Sequence, residues 1–105
     1  MGMDSTHTII YQSIVSGELA GTSVAALMPT ITCKQVNFKA VLSNAGNVYI
    51  GGATTVTKVD GTTDTTTGWE LGPGDETGFI PTDNVNRFAR ITTNDGDDLV
   101  YIALN

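Results

Sequence analysis

The chain has 105 residues, which is the length of a single domain with one hydrophobic core. Eleven Asp and Glu residues against five Lys and Arg give a net charge of -6, which opposes binding to nucleic acid and to anionic membranes. The single cysteine cannot form an internal disulfide, and no apolar run reaches the roughly 18 residues of a membrane helix, so we expect a chain that folds in a cytosol without a signal peptide.

Strand and turn signals dominate the sequence. β-branched residues, glycines and turn dipeptides recur about every eight to twelve residues, and helix signals are scarce. This pattern predicts an all-β chain whose strands form a sandwich or a barrel. We expect a flexible tail at residues 1–6 and a single domain at residues 7–105, in which residues 7–31 are an alternative oligomerisation or docking arm.

The first predicted strand covers residues 7–16, which are rich in Ile, Val, Tyr and Thr, and it ends at a turn over residues 16–18. Residues 19–28 are ambiguous. They predict either a second strand or a short helix over residues 24–28, because apolar runs of this length fit both.

The clearest alternation of apolar and polar residues lies at residues 33–43 and predicts a strand with one buried face. Asn44 and Gly46 then favour a turn, and residues 48–50 return to extended chain. These features predict a β-hairpin. Residues 54–67 follow, with eight threonines among fourteen residues, and predict an exposed hairpin or loop.

Four further strands complete the predicted fold. Residues 68–80 place Trp69 and Leu71 on one face and turn at Pro73 and Gly74, which fits a hairpin or a crossover between sheets. Residues 85–93 predict a strand and residues 94–98 a turn. The last strand, at residues 99–104, is apolar on both faces, so it lies either in the centre of the core or against another subunit.

No catalytic arrangement is recognisable in the sequence. Nucleophilic catalysis needs a base beside a nucleophile, and the only histidine, His7, and the only cysteine, Cys33, could meet across a sheet, but nothing in their spacing indicates that they do. One His and one Cys also cannot complete a zinc site within one chain. We therefore predict a protein that is not an enzyme and has no cofactor.

Two sets of residues remain candidates for ligand binding. Asp95, Asp97 and Asp98 could supply oxygen ligands to calcium, although a solvated turn is the favoured interpretation because the spacing of an EF-hand is missing. Four aromatic residues could form a stacking platform for sugars or could belong to the core: Tyr11, Tyr49, Trp69 and Tyr101. Leu71 on the same face as Trp69 favours the core.

Four segments, read in order, resemble small structural proteins of tailed bacteriophages: residues 36–42, 44–52, 68–76 and 100–104. They contain a strand, an Asn-Ala-Gly-Asn turn leading into Val-Tyr-Ile-Gly-Gly, a Gly-Pro-Gly-Asp turn and a final Tyr-Ile-Ala-Leu strand. The segments are most similar to the β-sandwich head decoration, or cement, proteins. Residues 59–67 are longer than the usual connection in that group, and Trp69 replaces a smaller residue.

The resemblance implies a jelly-roll-like antiparallel β-sandwich that binds the major capsid protein of an assembled head and stabilises the lattice. It implies a homotrimer at the local three-fold positions, located on the capsid surface of the virion and made in the cytoplasm of the host bacterium. The alternative is a module of a head fibre or tail that binds a glycan or protein of the host surface. The candidate interface residues are Ile9, Tyr11, Val15, Leu27, Trp69, Leu99 and Tyr101.

Overall fold

In the computed structural model, residues 13–53, 55–58 and 67–105 are described, and they form eight β-strands and one short 3-10 helix at Val85–Arg87. The strands are β1 (Ile14–Leu19), β2 (Ala26–Leu27), β3 (Gln35–Ala40), β4 (Val48–Gly52), β5 (Trp69–Leu71), β6 (Glu76–Pro81), β7 (Phe88–Thr92) and β8 (Leu99–Leu104).

The strands form two antiparallel sheets, sheet 1 in the order β1-β8-β3-β6 and sheet 2 in the order β2-β7-β4-β5. Every connection except the one from β4 to β5 crosses from one sheet to the other. This order of eight strands is that of a jelly roll. The predicted antiparallel β-sandwich of the jelly-roll type is therefore confirmed.

The core lies between the two sheets and is filled by alternate residues of the central strands. Val36 and Phe38 of β3 and Leu99 of β8 face Ile50 of sheet 2, and all four are inaccessible to solvent. The rings of Phe38 and Phe88 meet edge to face across the two sheets, with centroids 5.3 Å apart. Burial of one face of β3 is what the alternation predicted.

The predicted hairpin of β3 and β4 is wrong, because the two strands lie in different sheets. Asn44, which was predicted to form the hairpin turn, instead makes hydrogen bonds to another loop. The side chain of Asn44 accepts from the amide of Asp98 at 2.9 Å and donates to its carbonyl at 2.8 Å. The loop between β3 and β4 is thereby tied to the loop between β7 and β8, and the chain crosses to the opposite sheet.

The turn predicted at residues 16–18 is also wrong, since β1 continues through these residues to Leu19. Gly17 lies opposite Tyr101, and a Cβ atom at this position would lie 3.0 Å from the tyrosine hydroxyl. The glycine therefore allows close packing within a strand. Residues 7–12 of the predicted first strand lie outside the described residues.

The remaining elements agree more closely with the sequence. Residues 24–28 contain the short strand β2 and no helix. The segment after β5 is a crossover, with Gly74 at φ +86 in the turn. The strand predicted at residues 85–93 begins with the 3-10 helix, whose first turn is capped by the side chain of Asn84. β8 is confirmed at residues 99–104, and it occupies the centre of sheet 1.

Candidate interaction surface

The centre of the outer face of sheet 2 is covered by the chain itself. Residues 55–58 cross this face, where Val56 packs against Tyr49, and both side chains are buried. Nζ of Lys58 donates to the main-chain carbonyl of Thr92 at 3.3 Å and holds the segment in place. The residues predicted as an exposed threonine-rich loop are in part this cover, and Thr54 and residues 59–66 lie outside the described residues.

Sheet 1 has no such cover among the described residues, and one end of its outer face carries no charge. Strand pairing aligns Ile14, Leu104, Gln35 and Pro81 in one row and Ser16, Ile102, Asn37 and Phe79 in the next. Residues paired across neighbouring strands share a face of the sheet. We call these eight residues the uncharged face.

The uncharged face exposes large apolar side chains. Ile14 is 69% exposed, Phe79 46% and Ile102 40%. The next row along the sheet contains Glu18, Lys39 and Glu76, so charge begins where the apolar residues end. With strands about 4.8 Å apart, the face covers on the order of 200–300 Å². Apolar surface of this kind often marks a binding site.

Trp69 lies at the edge of sheet 2 and only partly in the core. Its ring is tilted against Phe88 at a centroid distance of 6.5 Å, and 45% of the residue is exposed. It borders an open cavity of about 270 Å³ lined, among the described residues, by Thr67, Gly68 and Trp69. Tyr49 and Tyr101 are buried, so Trp69 is the member of the aromatic set that reaches the surface in the described chain.

The three aspartates of the acidic turn accept hydrogen bonds from backbone amides. Asp97 is buried, and its carboxylate accepts from the amides of Ala45, Gly46 and Asn94 and from the side chain of Asn94, at 2.9–3.1 Å. Asp98 accepts from the amide of Gly21 at 3.1 Å and Asp95 from the amide of Ser23 at 2.9 Å. These bonds join the loops that follow β1, β3 and β7.

The hydrogen bonds around Asp97 determine its charge state. Burial alone would raise the pKa of this carboxyl. The bonds from Gly46, from the side chain of Asn94 and from the amides of Ala45 and Asn94 outweigh burial and lower the pKa of Asp97 below its usual value. Asp97 is therefore ionised at neutral pH. Among the described residues, no group of three or more His, Cys, Asp or Glu side chains is placed to hold a metal ion.

Acidification is expected to destabilise the chain through this carboxyl. Because the folded pKa of Asp97 is lowered, its contribution is complete above the unfolded pKa of about 3.9 and is lost as the pH falls through the folded value. Urea unfolding at a series of values from about pH 7 to about pH 2 measures the effect. Asp97→Asn should remove most of the decline.

Asp83→Asn is the matched control for this titration. The hydrogen bond from Arg87 lowers the pKa of Asp83 as well, but the pair is exposed. An exposed ion pair contributes little to stability, so this variant should retain nearly all of the acid dependence. A wild-type decline that Asp97→Asn leaves unchanged would assign the acid sensitivity to other groups.

Cys33 is a buried residue of the core. Its sulfur lies 3.7 Å from the carbonyl of Thr82, and burial followed by the charge of Asp83 raises the pKa of the thiol. A raised pKa disfavours the thiolate, which is the nucleophilic form. His7 lies outside the described residues, so the possible pairing of these two residues is not described.

The candidate interface residues occupy three different environments. Leu99 and Tyr101 are buried on the inner face of β8, where they contact the core. Val15, Leu27 and Trp69 lie on edge strands and are 39%, 59% and 45% exposed. Ile9 and Tyr11 lie outside the described residues. Residues 13–31 of the proposed arm contribute β1 and β2 to the two sheets.

Sequence reasoning missed most of the uncharged face. Ile14, Phe79 and Ile102 belong to three strands that are distant in sequence, and only the pairing register brings them together. The one signal available was the apolar character of both faces of β8. Arg90 was missed too: it donates to the carbonyls of Ala20 and Leu27 at 3.1 and 3.0 Å and so links the residue that follows β1 to the end of β2.

Comparison with known proteins found no matching protein-family model, no matching curated protein and no matching solved structure. In the described part of the chain, no helix has the length and hydropathy needed to cross a membrane.

Proposed function

We propose that the chain is a decoration protein of a bacteriophage capsid, which binds the major capsid protein of the assembled head and stabilises the lattice. The proposal rests on the resemblance of four segments to this group. In the fold these segments are β3, the loop leading into β4, the turn after β5, and β8. Three residues of the uncharged face, Asn37, Ile102 and Leu104, lie within these segments.

The uncharged face is suited to binding a repeating lattice. It is small, uncharged and partly apolar, so one contact through it is weak. A lattice offers the same contact many times, and an oligomer that engages several copies gains affinity from effective concentration. No cleft or catalytic group is required for such a protein, and the proposed function is non-enzymatic.

The test is a binding experiment with separated heads and tails of the source phage. Labelled protein is mixed with DNA-filled heads and, separately, with tails, and bound protein is followed by sedimentation and electron microscopy. We expect attachment in register with the head lattice. Phe79→Asp and Ile102→Asp should weaken attachment at least ~10-fold, since each places a charge within the apolar contact.

Val24→Asp and Leu42→Asp are the matched controls, because both replace exposed apolar side chains in loops away from the uncharged face. They should leave attachment unchanged. Equal losses in all four variants would show that charge anywhere on the surface weakens binding. Absence of the protein from heads would refute the proposed function.

Attachment to tails alone would favour the second candidate, a module that binds a host-surface glycan or protein. The observation behind it is Trp69, which is half exposed beside an open cavity of about 270 Å³. An indole face of this kind binds the apolar side of a sugar ring. Trp69→Ala should then abolish glycan-array binding and host adsorption, whereas Phe79→Ala should not.

A further inference from the structure

The four edges of the two sheets differ in how they are protected against pairing with another strand. β2 has two residues and β5 has three, too few for a stable added strand. β6 contains a register irregularity beside Gly78, at φ +78, and ends in Pro81. Short length, bulges and proline are the usual protection of an edge.

β1 carries none of these protections. It has six residues, no proline, an unbroken register with β8 and one charged residue, Glu18. Among the described residues, β8 is its only neighbour in the sheet. A long and regular edge strand of this kind is a template for a further strand.

The backbone groups that β1 offers can be assigned from its pairing. Ser13 and Asn105 exchange two main-chain hydrogen bonds of 2.7 and 2.9 Å. In an antiparallel pair these bonds alternate, so Val15, Gly17 and Leu19 also face β8. The amides and carbonyls of Ile14, Ser16 and Glu18 therefore point away from the sheet.

The residues that precede β1 have the composition of a strand. Residues 8–11 are Thr-Ile-Ile-Tyr, which are β-branched or aromatic, and residues 7–12 contain no Asp, Glu, Lys or Arg. They also contain no Gly, Pro, Asn or Asp, the residues that a tight hairpin requires. Ser13 is already held extended against Asn105, so the sequence does not encode a return onto the β1 edge of the same chain.

We propose that residues 8–12 of one copy add as a strand to the free edge of β1 in a second copy of this chain. Each copy gives one segment and receives one, so a closed ring of two or three copies leaves no β1 edge unpaired. This exchange uses an edge of sheet 1, whereas the proposed capsid contact uses its outer face. Ile14 and Ser16 belong to both surfaces, but neither proposal requires the other.

The side chains at the β1 edge fit such an addition. Val15, 39% exposed, lies on the core side of β1 and Ile14 on the outer side. An added strand would place Ile9 and Tyr11 on one side and Ile10 on the other, since side chains alternate along a strand. Both exposed apolar residues of β1 would then gain apolar neighbours from a segment that carries no Asp, Glu, Lys or Arg.

The mass of the full chain in solution, measured by light scattering during gel filtration, tests the exchange. We expect the wild type at two or three times the single-chain mass of 11.0 kDa. Ser16→Pro removes only an outward-pointing amide, and Ile10→Pro changes only the donated segment. Each should weaken assembly ~100-fold, with the β circular dichroism signal retained.

Mixing the two variants separates this exchange from other modes of association. Ile10→Pro has an intact edge and Ser16→Pro has an intact segment, so the mixture should form mixed assemblies that neither variant forms alone. Val24→Pro, in the loop between β1 and β2, is the control and should assemble as the wild type does. A wild type that stays at the single-chain mass, or variants that both assemble normally, would overturn the proposal. A single-chain species that still decorates heads would overturn only the exchange.

Discussion

Asp97→Ala is expected to lower the free energy of unfolding by about 2–4 kcal/mol, because it removes a buried ionised acceptor of four hydrogen bonds. The amides of Ala45, Gly46 and Asn94 would lose their acceptor at the junction of two loops. Urea unfolding at neutral pH, followed by tryptophan fluorescence and circular dichroism, measures the loss. Asp97→Asn should fall between the wild type and alanine, since its amide nitrogen would face the donors of Asn94.

Asp95→Ala is the matched control in the same turn. Asp95 is exposed and accepts a hydrogen bond from the amide of Ser23 at 2.9 Å, so the expected loss is about 0.5–1 kcal/mol. Similar losses in the two variants would indicate that the loops are held by main-chain contacts and not by the carboxylate of Asp97.

The fold class was predictable because it depends on local periodicity. Alternation at residues 33–43 gave the buried face of β3, and the apolar run at residues 99–104 gave β8. A strand that is apolar on both faces favours an interior position in a sheet, and β8 lies at the centre of sheet 1 between β1 and β3. The alternation in β3 and the apolar run in β8 can both be recognised from consecutive residues.

Strand partners were not predictable in the same way. Asn44 and Gly46 have the composition of a hairpin turn, yet their partners Asp97 and Asp98 lie more than fifty residues away. Gly17 suggested a turn, but its role is set by Tyr101 on the neighbouring strand. The residue type indicates that the backbone or side chain at such a position has a particular role. Only the pairing of the strands and loops in three dimensions determines whether that role is a turn, a loop-to-loop hydrogen bond or close packing.

The uncharged face could be predicted from the sequence only in part. The sequence left β8 either in the core or against another subunit, and the structure places it in the core with Ile102 still 40% exposed on the outer side. Ile14 and Phe79 join Ile102 only through the register of β1 and β6 with their neighbours. When an apolar surface is formed by strands that are distant in sequence, no single segment of the sequence reveals it.

Phe38→Ala is expected to have the largest effect on stability, lowering the free energy of unfolding by about 3–5 kcal/mol. Phe38 is inaccessible to solvent and packs edge to face on Phe88 between the two sheets, so alanine leaves a cavity at the centre of the core. Domains of this size are stable by only about 5–15 kcal/mol, and the variant should therefore be partly unfolded under mild heating.

Phe79→Ala provides the matched control, since it makes the same chemical change on the outer face of the same sheet. Phe79 is 46% exposed and paired with Asn37, and its replacement should cost less than about 1 kcal/mol. Thermal and urea unfolding of both variants at several protein concentrations give the comparison. The loss of unfolding free energy for Phe79→Ala could instead be as large as that for Phe38→Ala and grow with protein concentration. That result would mean that a second copy covers the uncharged face in solution, because burial in an assembly stabilises the wild type by mass action.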